Sequence, residues 1–262
     1  MTLQDFFRQH RRVLLAFSGG ADSAYLLWCA KQLGAEVEPC FVRSPFQPAF
    51  ELEDARRLCR ELGVELSLLE LPVLSDPKIK ANCAERCYYC KRAIFSLLLE
   101  EAKRRGIDCV IDGTNASDKD DERPGMRALR ELGILSPLRL AGISKPVLRS
   151  LSHQAGLFTA GKPAYACLAT RIPTGHSISL DLLKRIEQGE AILSDMGYVN
   201  FRLRLRDEGA LLQLDQTQLE YGKKHLTEIR LRLSELFSSL DIDSAGRRGE
   251  EGTATAVPKD HT

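Results

Sequence analysis

Two short clusters in this chain carry residue types that do chemistry. The first is Ser18-Gly19-Gly20-Ala21-Asp22-Ser23, directly after the apolar run Val13-Leu14-Leu15-Ala16-Phe17. A glycine-rich turn between a strand and a helix aims backbone N–H groups at an anion, and the helix N-terminus adds partial positive charge. Gly19 and Gly20 allow positive φ or close approach, and Ser18 and Ser23 add hydroxyl donors. Asp22 repels a bare phosphate, so the cluster reads as a site for a nucleotide carrying Mg²⁺. The second cluster is Arg86-Cys87-Tyr88-Tyr89-Cys90-Lys91, whose two thiols have metal-ligand spacing.

Neither G-x-x-x-x-G-K-[ST] nor G-x-G-x-x-G accompanies the first cluster. The pattern S-G-G-x-D-S after a strand instead resembles the pyrophosphate loop of the ATP pyrophosphatases, which cleave ATP between the α and β phosphates. The bland alternative is an ordinary Gly-Gly turn with a capping Asp or Ser.

The second cluster lacks a second Cys-x-x-Cys and a nearby His-x-x-x-His, which argues against a structural zinc site. Of the eight cysteines, Cys29, Cys40, Cys59 and Cys109 lie in apolar contexts and read as small buried hydrophobes. Cys83 reads as a spare thiol. Cys167 stands in a polar context, in Ala164-Tyr165-Ala166-Cys167-Leu168-Ala169-Thr170-Arg171. Three thiolates at Cys87, Cys90 and Cys167 suit an iron–sulfur cluster one cysteine short of the usual four. An ATP-activating loop beside such a cluster implies sulfur transfer. A reduced Cys87/Cys90 pair without metal is the competing reading.

The elements that must position these clusters alternate. Strands are expected at 13–17, 37–42, 64–69 and 109–111, with helices at 1–12, 22–33, 51–62, 91–105, 126–132 and 144–156. Such alternation specifies an α/β fold, a doubly wound parallel sheet whose ligand sits at the carboxyl ends of the strands. Ser18, Ser44, Leu71 and Asp112 fall there. Asp112 could reach Mg²⁺ or ribose, with capping of the next turn as its plainer role. A smaller α+β C-terminal domain follows, with a helix at 179–196, strands at 199–205 and 210–214, and a helix at 216–239. The expected division is 1–168 for the nucleotide domain, 169–240 for the second domain, and 241–262 as a disordered tail poor in apolar residues.

Composition limits the classes. The 262 residues are 44% hydrophobic, enough for a sizeable core, with Lys+Arg 37 against Asp+Glu 36. That balance gives no global electrostatic argument for nucleic acid, no apolar run is long enough to cross a membrane, and the N-terminus lacks secretory features. A reduced, cytoplasmic protein is expected. There is no internal repeat.

Four motifs in order resemble the LarE family of ATP-dependent sulfur transferases: Ser18 to Ser23, Arg86 to Lys91, Asp121-Glu122-Arg123-Pro124-Gly125, and Cys167-Leu168-Ala169-Thr170-Arg171-Ile172-Pro173. The resemblance spans about residues 10–235 and implies a pyrophosphate-loop (adenine nucleotide α hydrolase-like) fold. It implies synthesis of the nickel-pincer nucleotide, the cofactor of lactate racemase and related enzymes. The implied substrate is a pyridinium-3,5-biscarboxylate mononucleotide, adenylated by ATP with Mg²⁺ and then converted to the thiocarboxylate. One branch of the family sacrifices its own cysteine. Another holds a 4Fe-4S cluster on three cysteines.

Registered on Arg171-Ile172-Pro173, the sacrificial cysteine falls on Ala166, so the chain looks like the cluster branch, with Cys87, Cys90 and Cys167 as ligands. A one-residue shift would instead make Cys167 the sacrificial donor. By resemblance Glu190 is an acid near the sulfur site, Arg171 neutralises substrate carboxylate or phosphate, and Arg202 and Arg204 grip the substrate's phosphate. Alternation of those two arginines on one strand face also fits phosphate binding, or a plain solvated face. Arg123 is read as shaping a loop. The resemblance also implies a homo-oligomer, hexameric in the family. The rival readings are a tRNA thiolation enzyme, an ATP-dependent amidotransferase or NAD synthetase-type ligase, and a nucleotide sensor with structural zinc.

Overall fold

The computed structural model describes residues 1–118, 124–207 and 209–247. The described chain forms two compact units, Met1–Ile79 with Cys83–Lys162, and Lys80–Asn82 with Pro163 onward. No helix among the described residues is long and apolar enough to cross a membrane.

The first unit runs α1 (Leu3–Gln9), β1 (Arg12–Ala16), α2 (Ala21–Gln32), β2 (Glu36–Arg43), α3 (Ala49–Leu62), β3 (Ser67–Glu70), α4 (Pro77–Lys80, its last residue clustering with the second unit), α5 (Arg86–Arg105), β4 (Val110–Ile111), α6 (Pro124–Glu131), α7 (Pro137–Leu140) and α8 (Lys145–Gln154). Its strands pair in parallel in the order β3-β2-β1-β4. This is the doubly wound α/β arrangement the alternation specifies. Chain order reverses at β1, so the ends of β1 and β4 diverge and open a crevice.

Strand side chains alternate between the two faces. Val13, Leu15 and Phe17 enter a core with α1, α2, α3 and α8. Leu14, one residue out of phase, enters a second core with Phe95, Leu98 and Ala102 of α5. Burial on both faces explains why β1 reads as a continuous apolar run.

Two elements differ from expectation in ways that matter. α5 begins at Arg86, not near 91, so Cys87 and Cys90 stand in its first turns. Residues 84–105 contain no Gly or Pro to stop it. The expected helix 216–239 divides into α10 (Leu219–Lys224) and α11 (Leu226–Leu233). Gly222 sits where a Cβ would lie 2.2 Å from Leu214 Cδ1, so α10 packs closely there, while α11 separately buries Ile229 and Leu233.

The second unit contains α9 (Leu180–Asp195), β5 (Arg202–Arg206), β6 (Gly209–Gln213), α10, α11 and β7 (Leu240–Ile242). β5 and β6 are antiparallel, and β7 adds in parallel to β6. The reading of 241–262 as a disordered tail is corrected for its described part. β7 lies within the sheet, Leu240 is buried, and Arg247 bridges to Asp215. Two apolar residues flanking Asp241 are too few to show in composition, yet they suffice for an edge strand beside β6. Residues from 248 onward lie outside the described residues, as do Asp121, Glu122 and Arg123 of the third motif.

Candidate active site

In the first unit, β1 ends at Ala16 and the loop to α2 runs through Ser18, Gly19 and Gly20. Gly19 has φ +71°, and a Cβ there would lie 2.7 Å from the Glu51 carbonyl oxygen. Only glycine permits that conformation and that approach of α3 without strain. A Cβ on Gly113, just past β4, would lie 2.9 Å from the Ser23 nitrogen. The β4 loop therefore closes on the first turn of α2.

Gly20 is the N-cap of α2 and provides no side-chain cap, so first-turn amides remain directed outward as donors. The Ser18 and Ser23 hydroxyls lie 3.1 Å apart, Ser23 Oγ donates to the Gly20 carbonyl at 3.2 Å, and the Gly20 N–H donates to Ser18 Oγ at 3.4 Å. The loop is thus held in shape by its own hydroxyls.

This loop borders a cleft of about 270 Å³. Ser18, Asp22, Ser23, Asp112, Gln47 and Lys91 are among its lining residues. Asp22 is paired with Lys145 Nζ at 2.6 Å and accepts from Asn115 Nδ2 at 3.3 Å. Asp112 accepts from Ser136 Oγ at 2.6 Å, from the Thr114 N–H at 3.2 Å and from the Thr114 hydroxyl. Both Asp112 oxygens shape the turn they start, and the residue also lines the cleft. Among the described residues that line this cleft, Lys91 is the sole Lys or Arg. Sequence reasoning quoted it within a motif but gave it no role; its position one turn beyond Cys87 on α5 was the available signal.

The cysteines divide by environment. Cys29, Cys40, Cys59 and Cys109 are buried, and burial pushes each thiol up to about 11. They are poor nucleophiles and poor ligands. Cys87 is exposed, with Arg86 Nη2 3.5 Å from its sulfur, and Cys90 is half-buried. Cys167 belongs to the second unit, is half-buried, and starts a 3₁₀ turn over Leu168–Arg171. No cysteine is in a disulfide. Among the described residues, no three His, Cys, Asp or Glu side chains gather as a metal-binding set.

The Cys167 turn is built around a buried ion pair. Arg171 Nε and Nη2 meet Glu190 Oε1 and Oε2 at 2.8 and 3.1 Å. Arg171 Nη1 donates to the Ala166 carbonyl at 2.7 Å and to Thr170 Oγ1 at 3.0 Å. Glu190 also accepts from the Tyr165 hydroxyl and from the Leu203 N–H. Burial opposes the Arg171 charge, but Glu190 outweighs it and raises the guanidinium pKa. Glu190 is therefore no exposed helix carboxylate. With its donors spent on Glu190, Ala166 and Thr170, Arg171 is placed to hold the turn rather than reach out from it.

Arg202 and Arg204 do share a face of β5, between the buried Leu203 and Leu205. Arg204 donates to Gln213 Oε1 at 2.6 Å. Arg202 is half-buried, and burial together with repulsion from Arg247, Arg171 and Arg204 lowers its pKa to about 10, Glu190 opposing. Burial and repulsion from Arg171 and Arg204 lower Arg247 likewise. Repulsion among Arg171, Arg202, Arg204 and Arg247 is opposed by Glu190 and Asp215, and Arg204 also acts on Asp243, so the net balance at Arg202 and Arg247 disfavours the charged guanidinium. Sequence reasoning missed Arg247, because it lay in the segment read as tail.

The family of queuosine biosynthesis protein QueC matches residues 12–88, which carry the loop and the Cys87 turn. Pyridinium-3,5-bisthiocarboxylic acid mononucleotide synthase of Lactiplantibacillus plantarum is 31% identical over 220 residues, 83% of this chain and 80% of that protein. An uncharacterized protein of Synechocystis sp. is 35% identical over 219 residues, 83% and 82% of the two chains. The tRNA-specific 2-thiouridylase MnmA of Thermus thermophilus is 27% identical over 200 residues, 58% of this chain and 53% of that protein.

Proposed function

This chain belongs to the LarE family of ATP-using enzymes, and from that premise we propose that it converts pyridinium-3,5-biscarboxylate mononucleotide to its thiocarboxylates for the nickel-pincer cofactor. The observation that carries the reading is the uncapped start of α2 behind Ser18-Gly19-Gly20, at the mouth of the cleft where chain order reverses.

In the first step a substrate carboxylate oxygen attacks the α-phosphorus of MgATP. The bond to the β-phosphate oxygen breaks, pyrophosphate leaves, and an acyl-adenylate forms. The α2 amides and the Ser18 and Ser23 hydroxyls bind the leaving phosphates, and Lys91 supplies positive charge from the cleft wall. Donors already oriented in the loop stabilise developing charge without reorganising. In the second step sulfide adds to the acyl carbon and AMP leaves with the carbon–oxygen electron pair, giving the thiocarboxylate.

Arg202, Arg204 and Arg247 bind the phosphate of the mononucleotide. Arg171 and Glu190 hold the Cys167 turn in position. What supports an iron–sulfur cluster is the type and exposure of the donors, not a gathered ligand set: Cys87 and Cys90 are three residues apart on α5 and not deeply buried, and Cys167 is half-buried. Cys87, Cys90 and Cys167 would hold it, and when bound it supplies the sulfide. The assembly is a homo-oligomer, hexameric by family resemblance.

The test uses protein purified without oxygen, MgATP and the biscarboxylate mononucleotide. Pyrophosphate, AMP and thiocarboxylate should form, with about four iron per chain. Cys87→Ala should lose iron and thiocarboxylate while keeping pyrophosphate release. Loss of one sulfur from Cys167 per turnover in iron-free protein would replace the cluster by sacrifice of Cys167. Absence of pyrophosphate with this substrate, together with tight tRNA binding, would sink the proposal.

A further inference from the structure

The last residue of α4 and the two that follow it cluster with the second unit, not with the first. Lys80–Asn82 lie along the loop that leaves the Cys167 turn. The Ile178 N–H donates to the Lys80 carbonyl at 2.8 Å, and the Gly175 N–H donates to the Asn82 carbonyl at 2.9 Å. Asn82 Nδ2 donates to the carbonyls of Ile172 and Pro173, at 3.2 and 2.9 Å. Asn82 is 3% exposed and has φ +51°.

Each property of this position selects Asn. The left-handed conformation disfavours most side chains, and Asn tolerates it better than others except Gly. Two carbonyl oxygens at the start of one loop need a donor, and a buried carbonyl left without one costs free energy. Asp would fit the backbone but would aim an acceptor at two acceptors.

Ile172 is the residue at which the Cys167 turn ends. On the other side, Cys83 is the next residue after Asn82, and Cys87 is five residues on. The strap Lys80–Asn82 is therefore stitched, within the second unit, to the loop that leaves Cys167.

We infer that Asn82 is a positioning residue for sulfur transfer: it fixes the exit of the Cys167 turn. The inference rests on the sulfur-transfer reading above. It predicts that the Cys167 thiol loses its ordering when the Asn82 amide is removed, before any cluster is considered.

The experiment uses full-length protein without metal, as wild type, Asn82→Gly and Asn82→Ala. The Gly variant permits the same left-handed backbone and removes the side chain with its amide, which guards against a simple folding failure from backbone strain. Alkylation of each cysteine is followed by peptide mass spectrometry, with hydrogen exchange over residues 172–178. In Asn82→Gly, alkylation of Cys167 should quicken at least several-fold and the Gly175 and Ile178 amides should lose protection. Cys29, buried in the first unit, should keep its wild-type rate, and pyrophosphate release should be unchanged. Iron uptake after anaerobic reconstitution should fall. Wild-type Cys167 alkylation and exchange in the Gly variant would overturn the inference. Wild-type protein that takes up no iron, with the alkylation change still present, would reject the cluster and leave the strap standing.

Discussion

Arg171 and Glu190 meet through two parallel contacts, 2.8 and 3.1 Å, with both side chains almost wholly buried. Burial of two charges is costly, and only the full set of partners compensates: Ala166 and Thr170 on one side, Tyr165 and Leu203 on the other. Removing one partner strands the other charge. Arg171→Met or Glu190→Gln should each cost about 3–5 kcal/mol. The double replacement should recover part of that loss. Denaturant unfolding of the three variants measures it, and additive losses would show that the pair is not coupled.

Gly19 and Gly34 offer a controlled comparison. Both have positive φ, but a Cβ on Gly19 meets the Glu51 carbonyl, whereas one on Gly34 meets nothing within 4 Å. Gly34→Ala should cost only the left-handed strain, about 1–2 kcal/mol, and leave catalysis intact. Gly19→Ala should also shift the loop against α3 and lower pyrophosphate release by about tenfold or more. Equal effects of the two on turnover would refute the loop's role.

The guanidinium cluster predicts anion linkage. Phosphate should raise the melting temperature more than chloride at equal ionic strength, because it relieves repulsion among Arg202, Arg204, Arg171 and Arg247. Arg202→Met should abolish that gain and should not destabilise the phosphate-free protein. A phosphate effect that survives in both Arg202→Met and Arg247→Met would place the anion elsewhere.

Glu101 gives a pH test far from the site. Hydrogen bonding from Arg104, opposed by burial and reinforced by Arg105, lowers its carboxyl from 4.5 to about 2. A depressed carboxyl stabilises the folded state above its unfolded pKa, and that contribution fades as pH falls through the folded value. The melting-temperature gap between wild type and Glu101→Gln should be full above pH 4.5 and should shrink between pH 4.5 and about 2. A gap independent of pH over that window would contradict the assignment.

Much of the first unit was legible because its signals are local. The apolar run of β1, the Gly19-Gly20 turn and the α2 pattern are contiguous in sequence, and each agrees with the same phosphate-facing geometry. The second unit was less so. In sequence Glu190 is singled out as an acid near the sulfur site and Arg171 as a group for the substrate, and nothing local pairs them with each other. Only folding buries them together, 19 residues apart.

Sequence by itself determined the parallel alternating architecture and the order of the four motifs, since hydrophobic period and glycine placement act over neighbouring residues. It also singled out Cys87, Cys90 and Cys167 from eight thiols by context, and the other buried four follow from their apolar surroundings. Tertiary structure alone decided which polar groups are spent and which remain available. It closed Gly113 on Ser23, brought Arg247 back to Arg202, and stitched Asn82 to Ile172. Those relationships join residues far apart in the chain, where burial and hydrogen-bond demand are set by what packs nearby and no local pattern encodes the partner.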